Sequence, residues 1–205
     1  MNSLRMAIHN KSRPVDREMA SIYDHFIQLL EDNKNKEIML EDGVVVPIWD
    51  PTRERSVMMI GGMSGSGKSY FTAECAKQYH RQYPKHKIIL FSNKTEDPVF
   101  DRLAYIDRIK IDDSIIDDPI TMLELSNSLC IFDDVECNPN KDIEKEVERI
   151  IALCLQQGRS SKCSIIMITH QLNNGAKTKL ILTECHSVTL FPSTVTTYSL
   201  NYLLN

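Results

Sequence analysis

Short apolar runs, separated by stretches of helical periodicity, dominate the hydrophobic pattern of this chain. Five runs have the length of buried strands: residues 56–60, 87–91, 129–132, 164–168 and 187–191. Between the third and fourth runs, apolar positions over residues 143–155 recur at helical spacing, and Gly158 is a favourable helix stop. Residues 70–79 and 177–184 also predict helices. Strands that alternate with helices predict an α/β fold with a mostly parallel central sheet flanked by helices.

The first fifty residues follow a different pattern. Apolar positions over residues 15–31 recur at helical spacing after Pro14 and predict an amphipathic helix. Residues 44–49 predict a strand, and Pro47 favours an edge position because proline cannot donate to a sheet. We therefore expect an N-terminal segment over residues 1–49 and a main domain over residues 50–205.

A glycine-rich loop follows the first apolar run. Residues 62–69 spell G-x-x-x-x-G-K-S, the phosphate-binding loop called Walker A, between a predicted strand and a predicted helix. Glycines let backbone N–H groups approach phosphate oxygens, and the positive end of the helix dipole adds to the attraction. We expect Lys68 to reach the β- and γ-phosphates of ATP and Ser69 to offer its hydroxyl to Mg²⁺. The predicted nucleotide-binding residues of this segment are Gly62, Ser64, Gly65, Ser66, Gly67, Lys68, Ser69 and Tyr70.

Acidic residues follow the third apolar run. Asp133 comes directly after residues 129–132, at the end of a strand where ligands bind in open α/β sheets, and is predicted to hold Mg²⁺ directly or through water. Asp134 is the candidate for polarising the attacking water, with Glu136 in reserve. The alternative is that these acids only cap the turn after the strand.

Three polar residues, Thr169, His170 and Gln171, follow the fourth apolar run. If that strand lies beside the phosphate-loop strand, they end near the γ-phosphate. Thr169 or Gln171 would sense the phosphate or orient water by hydrogen bonding, and His170 also by charge. The alternative is a helix or turn cap.

An arginine that projects from a subunit edge can stabilise transition-state charge in a neighbour's site. Arg159, just before the fourth apolar run, is the candidate, and Arg149 is a second option. For either one, an ordinary surface salt bridge is the alternative.

Composition and charge narrow the function further. The 205 residues are 42% hydrophobic and 25% charged, no apolar run reaches the length of a membrane helix, and the N-terminus lacks the apolar core of a secretory signal. Six scattered cysteines without a C-x-x-C pair predict reduced core thiols. The net charge of −4 argues against a general nucleic-acid coat. However, residues 159–205 hold one acid against four Lys and Arg, which allows a mildly basic face.

Together these residues resemble the poxvirus-type DNA-packaging ATPases of large DNA viruses, within the FtsK–HerA superfamily. Beyond the phosphate loop, the resemblance rests on I-F-D-D-V at residues 131–135, Q-G-R at 157–159, S-I-I-M-I-T-H at 164–170 and L-F-P-S at 190–193. It implies a P-loop NTPase fold of the additional-strand type and a ring-forming motor that uses ATP hydrolysis to drive duplex DNA into a capsid. The implied partners are duplex DNA, capsid or portal-type viral proteins and further copies of the chain, in the host cytoplasm where virions assemble, with virion association as an option.

By position, the resemblance matches Lys68 and Ser69 to nucleotide and Mg²⁺ ligands and Asp133 to the Walker B aspartate. Asp134 stands where many relatives have a glutamate base. The helical pattern over residues 198–205 has no cap, which predicts either a short family member or a chain that continues further. Two other functions stay open: a nucleotide-gated assembly protein with slow hydrolysis, and a small-molecule kinase, which would need a lid of clustered arginines.

Overall fold

A six-stranded sheet forms the centre of the part of the chain that the computed structural model describes, which is residues 38–39, 44–45, 48–135, 138–170 and 175–191. In chain order, the elements are β1 (Ile38–Met39), β2 (Val44–Val45), β3 (Val57–Gly61), α1 (Lys68–Gln82), β4 (Lys87–Ser92), β5 (Ile106–Lys110), α2 (Ser114–Asp117), β6 (Ser128–Asp133), α3 (Lys141–Gln157), β7 (Cys163–Thr169), α4 (Gly175–Glu184) and β8 (Ser187–Leu190).

The sheet has the strand order β5-β4-β6-β7-β3-β8, and every neighbouring pair is parallel. Strand β7 therefore lies between β3, which precedes the phosphate loop, and β6, which ends at Asp133. This insertion is the additional strand that the resemblance implies. The predicted α/β fold, with a parallel sheet and flanking helices, is confirmed.

Burial separates the central strands from the edge strands. Strands β3, β6 and β7 are buried along their whole length, and β4 is buried except for Lys87. Strand β5, at one edge, alternates between half-buried and exposed positions. Strands covered on both faces need apolar residues at every position, which explains the continuous apolar runs in the sequence. No helix among the described residues is long and apolar enough to cross a membrane.

The contacts of the chain divide it into two units, residues 1–53 and 54–205. In the first unit, β1 and β2 form a short antiparallel pair in which Ile38 lies opposite Val45. The helix predicted over residues 15–31 and the edge position predicted for Pro47 lie outside the described residues. The predicted boundary at residue 50 stays a prediction.

Helix α3 shows how the crossover helices are fixed to the sheet. The Asn140 side chain accepts a hydrogen bond from the N–H of Asp142 (3.0 Å) and caps the first turn. At the other end, the buried Arg55 donates to the carbonyl oxygens of Cys154 (2.6 Å) and Leu155 (2.7 Å). Arg55 thereby adds a second donor to the Cys154 carbonyl oxygen, which also accepts from the Gly158 N–H (3.0 Å), and it binds the Leu155 carbonyl oxygen in the last turn. The buried face of α3 consists of Ile143, Val147, Ile150, Cys154 and Leu155.

Three buried thiols meet where α3 packs on the sheet. The Sγ atoms of Cys130, Cys154 and Cys163 all lie within 4.8 Å of one another, and those of Cys130 and Cys163 are 3.6 Å apart. All three cysteines are free. They belong to the main apolar core, which agrees with their prediction as core thiols. Their closeness comes from the packing of β6, α3 and β7, since they are far apart in sequence.

Gly158 ends α3 at a point where no side chain fits. A Cβ atom built on it would lie 2.2 Å from the Cys154 carbonyl oxygen and 2.8 Å from the Arg55 guanidinium. We expect Gly158→Ala to lower the free energy of unfolding by about 1–3 kcal/mol, the usual cost of overpacking. Urea denaturation checks this, with Gln156→Ala as control, because Gln156 is an exposed residue of the same helix end. Equal stabilities of the two variants would contradict the steric explanation.

Candidate nucleotide-binding site

The carboxyl ends of four neighbouring strands assemble the site. Because the strands are parallel, the segments that follow β3, β4, β6 and β7 all emerge at one edge of the sheet. The register places Ser92 opposite Asp133, and Gly61 opposite Thr169. The fourth apolar run forms β7, and β7 pairs directly with β3, the strand before the phosphate loop. This is the strand arrangement on which the predicted role of Thr169, His170 and Gln171 depends.

The phosphate loop needs glycine at two positions. Among the described glycines, only Gly65 (φ 73°) and Gly67 (φ 99°) have positive φ, a region that other residues avoid. A Cβ atom on Gly65 would find nothing within 4 Å, so the space beside this residue is open. Gly62 does not share the positive φ. Instead, its N–H donates to the carbonyl oxygen of Thr169 (3.3 Å) and joins the start of the loop to β7.

The helix after the loop begins without a side-chain cap. Its N-cap residue is Gly67, and its first turn contains no acidic residue within the described chain, unlike the first turn of α3 with Asp142 and Glu144. The first-turn N–H groups and the positive end of the dipole therefore face the loop uncompensated. The buried Oγ of Ser66 also lacks a hydrogen-bond partner among the described residues. An anion such as a phosphate would satisfy both sets of donors.

Lys68 is folded over the start of the loop. Its Nζ donates to the carbonyl oxygens of Gly62 (2.7 Å) and Met63 (2.9 Å), and the side chain is buried. Nζ also lies 3.2 Å from Nδ1 of His170, and Nε2 of the same ring lies 2.7 Å from Oδ1 of Asp134. A neutral His170 with its proton on Nε2 satisfies both contacts, since Nδ1 then accepts from the ammonium and Nε2 donates to the carboxylate. His170 therefore links Lys68 to Asp134.

Asp133, the last residue of β6, and Asp134, directly after it, share one cation. Nζ of Lys94 lies 2.6 Å from Oδ2 of Asp134 and 3.3 Å from Oδ2 of Asp133. Asp134 has a positive φ of 55°, which is uncommon outside glycine, and its carbonyl oxygen accepts a hydrogen bond from Nδ2 of Asn93 (2.6 Å). This sharp turn directly after β6 lets the adjacent carboxylates contact the same ammonium group.

Burial and the neighbouring charges shift the pKa values of the two aspartates in opposite directions. Burial raises the pKa of Asp133 above its ordinary value, and the Asp134 carboxylate adds to this increase although Lys94 opposes it. Burial also acts to raise the pKa of Asp134, but the hydrogen bonds and positive charge of Lys94, with the hydrogen bond from His170, outweigh it and lower the pKa. Asp134 is therefore firmly ionised at neutral pH.

The structure brings most of the predicted site residues together. Thr169 is buried beside Gly62, Ser69 lies half-buried in the first turn of α1, and Tyr70 is 48% exposed one residue further on. Ser64 lies exposed in the loop itself. The predicted polarising residue Gln171 and the reserve base Glu136 lie outside the described residues, so their roles stay predictions.

The two candidate arginines lie away from the loop. Arg159 precedes β7 at the amino ends of the strands, so about 20 Å of strand separates it from its own phosphate loop. It is exposed, and its Nε lies 2.5 Å from Oε2 of Glu54. Arg149 pairs with Glu146 in the same helix and donates to the carbonyl oxygen of Ile120. Neither arginine contacts the site of its own chain among the described residues, and a role for Arg159 in a neighbouring site stays a prediction.

Sequence reasoning missed Lys94 and Asn93. Both follow β4 at the same edge of the sheet, and both contact Asp134. The signal was present, because polar residues after a strand had pointed to Asp133 and Thr169. However, the sequence does not show that β4 is the neighbour of β6, which the register establishes.

Comparisons with known proteins identify one related sequence. The chain is 34% identical over 177 residues to the uncharacterized protein V3 of Sputnik virophage, covering 85% of this chain and 71% of that protein. No protein-family model matches the chain. Among solved structures, the genome packaging NTPase B204 from Sulfolobus turreted icosahedral virus 2 in complex with AMPPCP has a TM-score of 0.49 and 13% identity, covering 74% of this chain and 82% of that one. The same protein in complex with sulfate has a TM-score of 0.43 and 10% identity, covering 74% and 86%.

The raised pKa of Asp133 has a consequence for stability. A carboxyl group whose pKa is higher in the folded chain than in the unfolded chain destabilises the fold when ionised. We therefore expect Asp133→Asn to raise the Tm at pH 7 by about 2–4 °C, the effect of roughly 1 kcal/mol in a chain of this size.

This gain has a defined pH dependence. It should shrink as the pH falls from 7 toward the ordinary value of 3.8, because Asp133 of the unsubstituted chain then becomes protonated. Differential scanning calorimetry of the metal-free protein measures it, with the exposed Asp107→Asn as control. A lower Tm for Asp133→Asn at pH 7 would show that the carboxylate stabilises the fold instead.

Proposed function

The chain belongs to the family of Sputnik virophage protein V3, and we propose that it is a Mg²⁺-dependent ATPase that translocates duplex DNA into viral capsids. The observation that best supports ATP hydrolysis is the contact chain across the sheet edge: Lys68 of the phosphate loop contacts His170, and His170 contacts Asp134 after β6. A phosphate-binding lysine and an ionised carboxylate are thereby held in one hydrogen-bonded arrangement.

The residues of the loop fit a nucleoside triphosphate and its metal ion. The open space at Gly65, the unpartnered Oγ of Ser66 and the uncapped start of α1 suit phosphate oxygens. Ser69 and Asp133 supply the hydroxyl and carboxylate oxygens that Mg²⁺ prefers. Bound there, Mg²⁺ would neutralise charge on the β- and γ-phosphates. Lys68 already points its ammonium toward the loop and would exchange loop carbonyls for phosphate oxygens.

Asp134 is the residue best placed to act on water. Its lowered pKa keeps it ionised, so its carboxylate can accept a hydrogen bond from the attacking water and polarise it. The hydrogen bond from His170 and the contact with Asn93 fix its carboxylate and its backbone. In this proposal His170 positions Asp134 and couples it to Lys68, and Thr169 keeps the loop close to β7 through Gly62.

The motor function rests on the resemblance to viral packaging ATPases and on membership of a viral protein family. Duplex DNA, capsid or portal-type proteins and a homo-oligomeric ring are the proposed partners, and the viral assembly site in the host cytoplasm is the proposed location. In a ring, the exposed Arg159 would reach a neighbour's phosphates once it leaves Glu54.

The kinase alternative is disfavoured by one specific observation. A lid needs arginines free to close over phosphates, but Arg108 donates to the carbonyl oxygen of Lys94 (3.0 Å) and forms an ion pair with Asp101. Arg108 is therefore held in the β4–β5 region as a structural residue.

Steady-state ATP hydrolysis with and without duplex DNA tests the proposal. We expect hydrolysis that DNA stimulates at low salt, that weakens as salt rises because phosphate contacts release counterions, and that Lys68→Ala abolishes. Hydrolysis that is indifferent to DNA at every salt concentration would contradict translocation and favour the nucleotide-gated assembly protein. Phosphate transfer to nucleoside monophosphates would favour the kinase.

The role of Asp134 has its own test. We expect Asp134→Asn to lower kcat by about 10²-fold or more, the usual contribution of a positioned base, while ATP binding persists. Single-turnover hydrolysis and equilibrium nucleotide binding separate the two effects. The matched control is Asp134→Glu, which keeps the carboxylate and should retain much of the activity. An Asp134→Asn enzyme with unchanged kcat would transfer the base role to another residue, of which Glu136 is the candidate in reserve.

A further inference from the structure

Lys94 is a charged residue of the site to which the nucleotide-binding motifs assign no role. It lies two residues beyond β4, and its Nζ contacts Oδ2 of Asp134 at 2.6 Å and Oδ2 of Asp133 at 3.3 Å. Oδ2 of Asp97 lies further away, at 3.9 Å. The ammonium group therefore occupies the position between the carboxylates of Asp133 and Asp134.

The carboxylates need a positive charge in that position. Asp133 and Asp134 are adjacent in sequence, and Asp133 is only 2% exposed, so water screens its charge poorly. Two ionised carboxylates this close repel each other unless a cation lies between them. A divalent cation held by Asp133 would meet the same need, and it would bind the carboxylate that Lys94 contacts.

We propose that Lys94 competes with the divalent cation as a tethered ammonium group: it neutralises the Asp133–Asp134 pair until Mg²⁺ binds with nucleotide, and it then leaves the pair. This inference rests on the proposed function, because it assumes that Asp133 is a Mg²⁺ ligand. Its consequence is regulatory. Mg²⁺ binds more weakly than the two carboxylates alone would allow, so the site loads the cation together with the nucleotide phosphates.

The surroundings allow the Lys94 side chain to move while the carboxylates stay. The side chain is 42% exposed, and ion pairs that are this accessible to water are weak and easily exchanged. The backbone is fixed, since the Lys94 N–H donates to Oγ of Ser92 and its carbonyl oxygen accepts from Arg108. Asp134 keeps two other contacts when Lys94 departs, with Nδ2 of Asn93 and with His170.

The test measures how Mg²⁺ stabilises the protein in saturating ADP. Lys94→Met removes the charge but keeps an unbranched side chain of similar length. We expect the Mg²⁺ concentration at half of the Tm increase to fall about five-fold, which corresponds to one or two partly exposed ion pairs. Lys94→Arg keeps the positive charge and should restore the wild-type midpoint. The control is Lys110→Met, because Lys110 is an exposed lysine whose Nζ lies 3.5 Å from Asp112 outside the site.

Each outcome decides the inference. A lower midpoint for Lys94→Met alone supports competition. A midpoint that is unchanged or higher overturns it, and a higher one would mean that Lys94 positions the carboxylates for the metal. If the wild-type protein binds ADP and Lys94→Met lowers only the kcat of ATP hydrolysis, with an unchanged Mg²⁺ midpoint, then Lys94 acts on the phosphates. In that case the inference fails while the proposed function stands. A wild-type protein that binds no nucleotide with or without Mg²⁺ would overturn both.

Discussion

The parallel direction of all six strands is the constraint on which the rest of this structure depends. In a parallel sheet the carboxyl ends of all strands lie at the same end of the sheet. Loops from distant parts of the sequence therefore meet there without any long connection. The insertion of β7 between β3 and β6 then fixes which loops become neighbours. Because β7 touches both strands, His170 contacts the lysine of one loop and an aspartate of the other. With β7 at an edge of the sheet, the same residues would not form this contact chain.

The site carries local backbone strain and a buried charge. Asp134 holds a positive φ, and the buried Asp133 has a raised pKa because burial disfavours its ionised form. Both features lie at the site, whereas the strands beneath it contribute to the apolar core. Lys94 and His170 offset part of the charge. The site is therefore held in an energetically unfavourable state by a stable sheet, which is typical of a place where a charged ligand completes the structure.

The carboxyl and amino ends of the strands hold different features. The phosphate loop and the two aspartates lie at the carboxyl ends of the strands. The turn from α3 into β7 lies at the amino ends of the strands. Arg55 and Gly158 pack so closely there that no side chain fits at Gly158. Arg159, the residue after Gly158, is exposed and forms an ion pair with Glu54.

The sequence by itself determined the class of fold and the chemistry of the loop. Apolar runs of strand length identified β3, β4, β6, β7 and β8. For the first four, the reason is that strands buried on both faces leave a continuous apolar signature. The glycines, Lys68 and Ser69 of the phosphate loop could be recognised from the sequence, because the motif is local and its function depends on adjacent residues. Strand order was not readable, since no local pattern reports which strands are neighbours. Only the tertiary structure therefore decided that Lys94 shares Asp133 and Asp134, that His170 contacts Lys68, and that Cys130, Cys154 and Cys163 meet. These contacts join residues far apart in the chain, and they follow from packing geometry that a sequence pattern does not contain.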